Sequence, residues 1–217
     1  MELATGACQN GGMTAETVAR LRISLDDIRP EIWRVVEIHT TASLKAVHDV
    51  IQAAMGWQDY HLWDFDAGGR RYGLPDPEWP IDDLAAAKNT KLASLIERGI
   101  TTMTYTYDMG DDWRHTVTIQ AVETGDAKVN YPRFVAGQRR CPPEDVGGLP
   151  GFENFLDIIA NPAHPEHREV LRWYGRHYDP EDMAELAAKR RIGVIARRRL
   201  AAKTAAAKRK STDAGTG

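Results

Sequence analysis

Apolar and polar positions alternate with period two from Val18 to Leu25. Leu21, Ile23 and Leu25 share one face and Arg20, Arg22 and Ser24 the other, the signature of a half-buried strand. Asp26 to Glu31 contains Pro30 and reads as a turn. Ile32 to Ile38 reads as a second strand, so the two predict a hairpin. The period then lengthens. Leu44, Val47, Ile51, Ala54 and Met55 fall at helical spacing behind Ser43, a good N-cap, and Gly56 stands where a left-handed terminal residue is wanted. His61 to Asp66 and Arg70 to Leu74 flank Ala67-Gly68-Gly69 and predict a second hairpin. Leu74 to Asp83, with Pro75, Pro77 and Pro80, predicts loop, and Leu92, Leu95 and Ile96 predict a short helix ending at Gly99.

Thr101 to Tyr107 and Trp113 to Val122 are the clearest strand pair. Met103, Tyr105 and Tyr107 alternate with threonines, as do His115, Val117 and Ile119 with Thr116, Thr118 and Gln120. Asp108-Met109-Gly110-Asp111-Asp112 joins them with turn chemistry. Phe152, Phe155, Leu156 and Ile159 form one helical stripe, a helix is expected from Pro165 to Tyr174, and Asp179-Pro180-Glu181-Asp182 reads as a helix start. Strands dominate the first two thirds and helices the last third. That predicts an α+β fold: a mixed or antiparallel sheet built from hairpins, a helix packed after the first hairpin, and helices at the C-terminal end. The expected organisation is a disordered segment over 1–16, one α+β domain over 17–188 and an arm over 189–217.

One stretch departs from this regularity. Cys141-Pro142-Pro143-Glu144-Asp145-Val146-Gly147-Gly148-Leu149-Pro150-Gly151-Phe152 packs three prolines and three glycines around two carboxylates and a cysteine. Proline fixes φ and glycine admits positive φ, so this is a loop of specified shape. It reads either as a rigid connector capping the next helix or as the wall of a site. The turn Asp108–Asp112 also concentrates carboxylates, so the two are expected to share a cleft. Asp108, Asp111, Asp112 and His115, joined by Cys141, Glu144 and Asp145, would suit a divalent metal as cofactor. The competing reading is ordinary: Asp and Gly are what turns use, and an inward-facing His115 is a core histidine.

Composition removes several classes. Two cysteines, Cys8 and Cys141, exclude a disulfide framework and a four-cysteine zinc site. Met1 to Thr14 lacks the charge and apolar run of a signal peptide, and no apolar run reaches membrane-spanning length, so a cytoplasmic location with no membrane partner is expected. The net charge of −3 conceals an asymmetry. The segment 189–217 carries Lys189, Arg190, Arg191, Arg197, Arg198, Arg199, Lys203, Lys208, Arg209 and Lys210 against Asp213 alone, a net of +9, and leaves −12 on residues 1–188. A basic arm on an acidic body fits a nucleic acid or an acidic protein partner. It fits equally a solvated helix or an arm folded back on its own body.

Five separated motifs then point to a known family. Pro30-Glu31-Ile32-Trp33-Arg34, Met55-Gly56-Trp57 with His61-Leu62, Tyr105 through His115, Cys141 through Gly148, and His164-Pro165-Glu166-His167 occur in family order. On these the chain resembles the plasmid pRiA4b ORF-3-like family, over roughly residues 16–187. Its members are often labelled TnpR-type passenger proteins of insertion elements. The resemblance implies an α+β fold on a mixed sheet and no established activity. The recombinase label finds no support in the residues: Ser24 faces out of a strand, Ser43 caps a helix, and Tyr174 and Tyr178 lack the required array of arginines and histidines. The expected function is a non-catalytic binding or accessory protein of mobile-element type whose arm contacts nucleic acid. The alternatives are a metal-dependent hydrolase or nuclease using Asp108, Asp111, Asp112, His115, Glu144 and Asp145, and a protein-interaction module.

Overall fold

The computed structural model describes residues 16–75, 83–175 and 177–213, with side chains up to residue 209. All but residue 16 of the expected segment 1–16 and most of the loop 74–83 lie outside the described residues. β1 (Thr17–Leu25) and β2 (Trp33–His39) form the first hairpin, followed by α1 (Leu44–Met55). β3 (Trp63–Ala67) and β4 (Arg70–Gly73) form the second hairpin; β5 (Ala85–Ala86) and α2 (Leu92–Glu97) follow. β6 (Thr102–Tyr107), β7 (Trp113–Thr124) and β8 (Arg133–Gln138) complete the strands, and α3 (Gly148–Ala160), α4 (His167–Tyr174) and α5 (Glu185–Asp213) the helices. Among the described residues the strands make one sheet of order β5-β4-β3-β6-β7-β1-β2-β8, with only β4 and β5 parallel. The fold is α+β, with strands first and helices last.

The alternation in β1 and β2 decides which face is covered. Leu21, Ile23, Leu25, Val36 and Ile38 are buried and join Leu44, Val47, Ile51 and Ala54 of α1 in one core. The opposite face is polar: Glu37 accepts from Arg20 at 2.7 Å and from Arg133 at 2.5 Å, a ladder across three strands. Ser43 caps α1, its hydroxyl accepting from Ala46 N at 3.2 Å, and Gly56 ends it at φ 101°. Inside the core the polar groups close a ring. Gln52 donates to the Tyr105 hydroxyl at 2.9 Å, Tyr105 to His48 Nδ1 at 2.8 Å, His48 Nε2 to Asp59 at 2.8 Å, and Asp59 N to Gln52 Oε1 at 3.1 Å. These directions follow from letting every donor find an acceptor.

Four features differ from expectation. β8 pairs with β2 at the sheet edge, yet its sequence places Phe134 beside Val135 and then Ala136-Gly137, without alternation. α3 begins at Gly148, inside the Pro/Gly loop, because Pro150 falls in the first turn, where no amide partner is needed. α4 begins at His167 rather than Pro165. Asp179–Asp182 is a turn rather than a helix start. Glu181 N donates to Asp179 Oδ1 at 2.9 Å, Ala184 N to Asp182 Oδ1 at 2.8 Å, and α5 starts only at Glu185. No helix among the described residues is long and apolar enough to cross a membrane.

Candidate functional site

The β3–β6 pairing sets Trp63 opposite Tyr107, so Leu62 falls opposite Asp108 and His61, one residue further back, lies diagonal to it. Asp108 N donates to Leu62 O at 2.9 Å, fixing the junction. Asp108 takes φ 58°, a conformation Asp tolerates, and its Oδ1 accepts from Gly110 N at 2.9 Å and Asp111 N at 3.2 Å. Its Oδ2 faces His61 Nε2 at 3.5 Å.

The Pro/Gly loop closes over this junction. Gly147 N donates to Asp111 Oδ2 at 3.2 Å, and Gly148 lies so close that a Cβ there would stand 2.8 Å from Asp111 O. Trp57 Nε1 donates to Pro142 O at 3.1 Å, and the Cys141 thiol lies 3.2 Å from Met55 Sδ. Glu144 turns inward and accepts from Gln58 N at 2.6 Å and from the Tyr107 hydroxyl at 3.1 Å. Burial pushes its carboxyl up, against those two hydrogen bonds. Asp145, at φ 57°, presents Oδ1 to His61 Nε2 at 2.9 Å.

The residues singled out from sequence therefore divide. Asp108, Glu144 and Asp145 come together around His61, and Asp111 ties the loop to the turn. Asp112 instead pairs with Arg114 at 2.6 Å, away from the others. His115 is fully buried on the inner face of β7, its Nδ1 3.3 Å from Tyr105 O and its ring edge-on to Trp57. Burial holds it down to about 4, so it is a neutral core group. Cys141 is buried too, its thiol pushed up to about 11. His61 is the participant missed from sequence. The register of β3 on β6 carried the signal, because it sets His61 next to Asp108. Behind the loop a cleft of about 800 Å³ opens towards α5, lined by Ala53, Trp57, Cys141, Glu144, Trp173 and Arg191 among others.

The basic segment is one continuous helix, and its first half belongs to the body. Ala188, Ile192 and Ala196 are buried. Arg191 donates to Trp57 O, Arg199 to Thr41 Oγ1 at 3.3 Å, and Lys203 pairs with Glu16 at 3.0 Å; Lys189 pairs with Glu185 one turn before it. At 100° per residue Arg190, Arg197 and Lys208 turn the other way, whereas Arg198 and Arg209 lie in the direction of Arg191. Arg190, Arg197 and Lys208 fall within about 20° of one line, with Arg198 and Arg209 on its flank. All five are exposed, and Arg190, Arg197 and Arg198 have no carboxylate partner among the described residues. The side chain of Lys210 lies outside the described residues.

Comparison with known proteins agrees with the fold and the motifs. The family model described as plasmid pRiA4b ORF-3-like protein matches residues 17–186. Uncharacterized protein y4hQ of Sinorhizobium fredii is 36% identical over 159 residues, covering 73% of this chain and 81% of that one. A crystal structure of protein MM3350 from Methanosarcina mazei Go1, described as of unknown function, superposes with a TM-score of 0.70 at 33% identity. It covers 77% of this chain and 94% of that one.

Proposed function

We propose that this chain, which belongs to the plasmid pRiA4b ORF-3-like family, is a non-catalytic binding or accessory protein that contacts the phosphate backbone of nucleic acid through α5. One observation carries the reading: the cations of α5 segregate by face. Those on the inner side are spent on Trp57, Thr41 and Glu16, whereas Arg190 and Arg197 look outwards from the acidic body and Arg198 is exposed on the flank beside Arg191. From Arg190 to Lys208 the stripe runs about 27 Å, most of the ~34 Å turn of B-DNA. Between its cations stand Val194, Ala201 and Ala205, which offer bases neither a stacking surface nor a bidentate hydrogen-bond pair. Binding is therefore by charge, without sequence reading.

Because Ile192 and Ala196 are core residues, a cut at Lys189 would strip α1 as well as the charges. The discriminating variant is Arg190→Glu/Arg197→Glu/Arg198→Glu, whose sites are all exposed. Two duplexes of unrelated sequence should bind with equal affinity near 50 mM salt, and the triple variant should lose binding at least tenfold on both. Equal binding by variant and parent, or none by either, rules the reading out.

The meeting of the two acidic loops on His61 favours one other reading, a metal-dependent hydrolase in which Asp108, Glu144 and Asp145 hold the ion beside the cleft. Turnover of a phosphodiester with added Mn²⁺, lost in Asp108→Asn, would support it; inertness of the parent would end it.

A further inference from the structure

We infer that His61, Asp108 and Asp145 form a binding site for one divalent transition ion, zinc or manganese in character. This is the cation-holding part of the hydrolase reading, and it stands without turnover.

The first support is spacing. Around an ion with ligands at about 2.1 Å, neighbouring ligand atoms lie about 3.0–3.4 Å apart and opposite ones about 4.2 Å. From His61 Nε2, Asp145 Oδ1 lies at 2.9 Å, Asp108 Oδ2 at 3.5 Å and Glu144 Oε2 at 4.0 Å. The donor atoms of His61, Asp108 and Asp145 all fall within 4.8 Å of one another. Three groups from three separate stretches of chain are thus gathered around one point, with Glu144 standing outside the group.

The second support is independent of the acidic count, and lies in one buried nitrogen. His61 Nε2 is shut off from solvent and makes no hydrogen bond, since the nearby oxygens lie off its donor direction. Asp108 is only 7% exposed; it spends Oδ1 on two backbone amides, while its Oδ2 faces His61 Nε2 at 3.5 Å. A buried nitrogen without a hydrogen bond is costly, and an ion between it and the two aspartates would satisfy it.

The third support is the layer behind the ligands. The amides of Gly110 and Asp111 aim Asp108, so this carboxylate does not have to reorganise. The ligand set of one imidazole and two carboxylates selects among ions. Magnesium and calcium prefer all-oxygen shells, while zinc and manganese accept a nitrogen.

The test is a Mn²⁺ titration of the full chain, reading free Mn²⁺ by its six-line electron paramagnetic resonance signal. One ion per chain should bind, displaced by Zn²⁺ and not by an equal concentration of Mg²⁺. His61→Ala and Asp108→Asn should each weaken binding at least tenfold, and Asp112→Asn, which lies outside the cluster, should leave it unchanged. Should either buried variant fail to fold, Asp145→Asn, at an exposed position, should show the same loss. No binding by the parent up to about 1 mM, or binding indifferent to all three ligand substitutions, would leave only a histidine–carboxylate ion pair and overturn the site. Binding without phosphodiester turnover would retain the site and end the hydrolase reading alone.

Discussion

Arg34 is a wholly buried guanidinium with no carboxylate beside it among the described residues. It donates to Ala54 O at 3.0 Å, Trp33 O at 2.8 Å, Gln138 O at 2.9 Å and Arg139 O at 2.8 Å. One side chain thereby fastens the last turn of α1, β2 and the strand end that leads into the Pro/Gly loop. Burial lowers its proton affinity, but an arginine stays charged. Arg34→Met should cost about 3–5 kcal/mol in urea unfolding, because it strands several buried carbonyls at once. A loss below about 1 kcal/mol would show that water replaces the guanidinium. His115 makes the opposite choice and stays neutral. Its folded value of about 4 lies below the unfolded value of 6.5. Its contribution is therefore complete above pH 6.5 and is lost as pH falls from there towards 4, at about 1.4 kcal/mol per unit. In His115→Gln the stability lost between pH 7 and pH 5 should be smaller than in the parent by about 2 kcal/mol. Identical pH slopes in the two would contradict a neutral core histidine.

At the scale of elements, the Pro/Gly loop and the β6–β7 turn behave as one piece. Their junction depends on Gly148, which combines φ 65° with backbone contact to Asp111. Gly69 supplies a control, at φ 73° with nothing near a Cβ. Gly69→Ala should cost about 1 kcal/mol from backbone strain alone, and Gly148→Ala clearly more, about 2–3 kcal/mol, since the loop must also move. Equal midpoints in thermal melts would refute the close docking. Much of this layer was legible. Periodicity located β1, β2, α1, the β3–β4 hairpin and the β6–β7 pair, because each buries one face against the common core. β8 was not legible, since an edge strand held by backbone pairing needs no alternation. The end of the basic helix facing the body was hidden for a related reason: Ala188, Ile192 and Ala196 make a narrow stripe among so many cations that composition masks it.

At the scale of the whole molecule, motifs far apart in the chain meet at one end of the sheet. Trp33-Arg34, Met55-Gly56-Trp57, His61, Asp108–Asp112 and Cys141–Gly148 all touch the Pro/Gly loop or its anchor. Sequence identified these pieces without their partners. Asp108, Glu144 and Asp145 were legible as carboxylates on shaped turns, whereas His61 entered only through the register of β3 on β6. His115 could have been set apart by parity, since it shares a face with Val117. α5 carries its paired Arg191, Arg199 and Lys203 towards the body and Arg190 and Arg197 away from it, so one helix holds both sets. The direct measurement of that claim is the salt dependence of binding to duplex DNA. If about five cations meet phosphates, log K should fall against log salt with a slope of about −4 to −5, and Arg190→Glu/Arg197→Glu/Arg198→Glu should flatten it by about 2.7. A slope near zero in the parent, or one that the triple substitution leaves unchanged, would contradict the account.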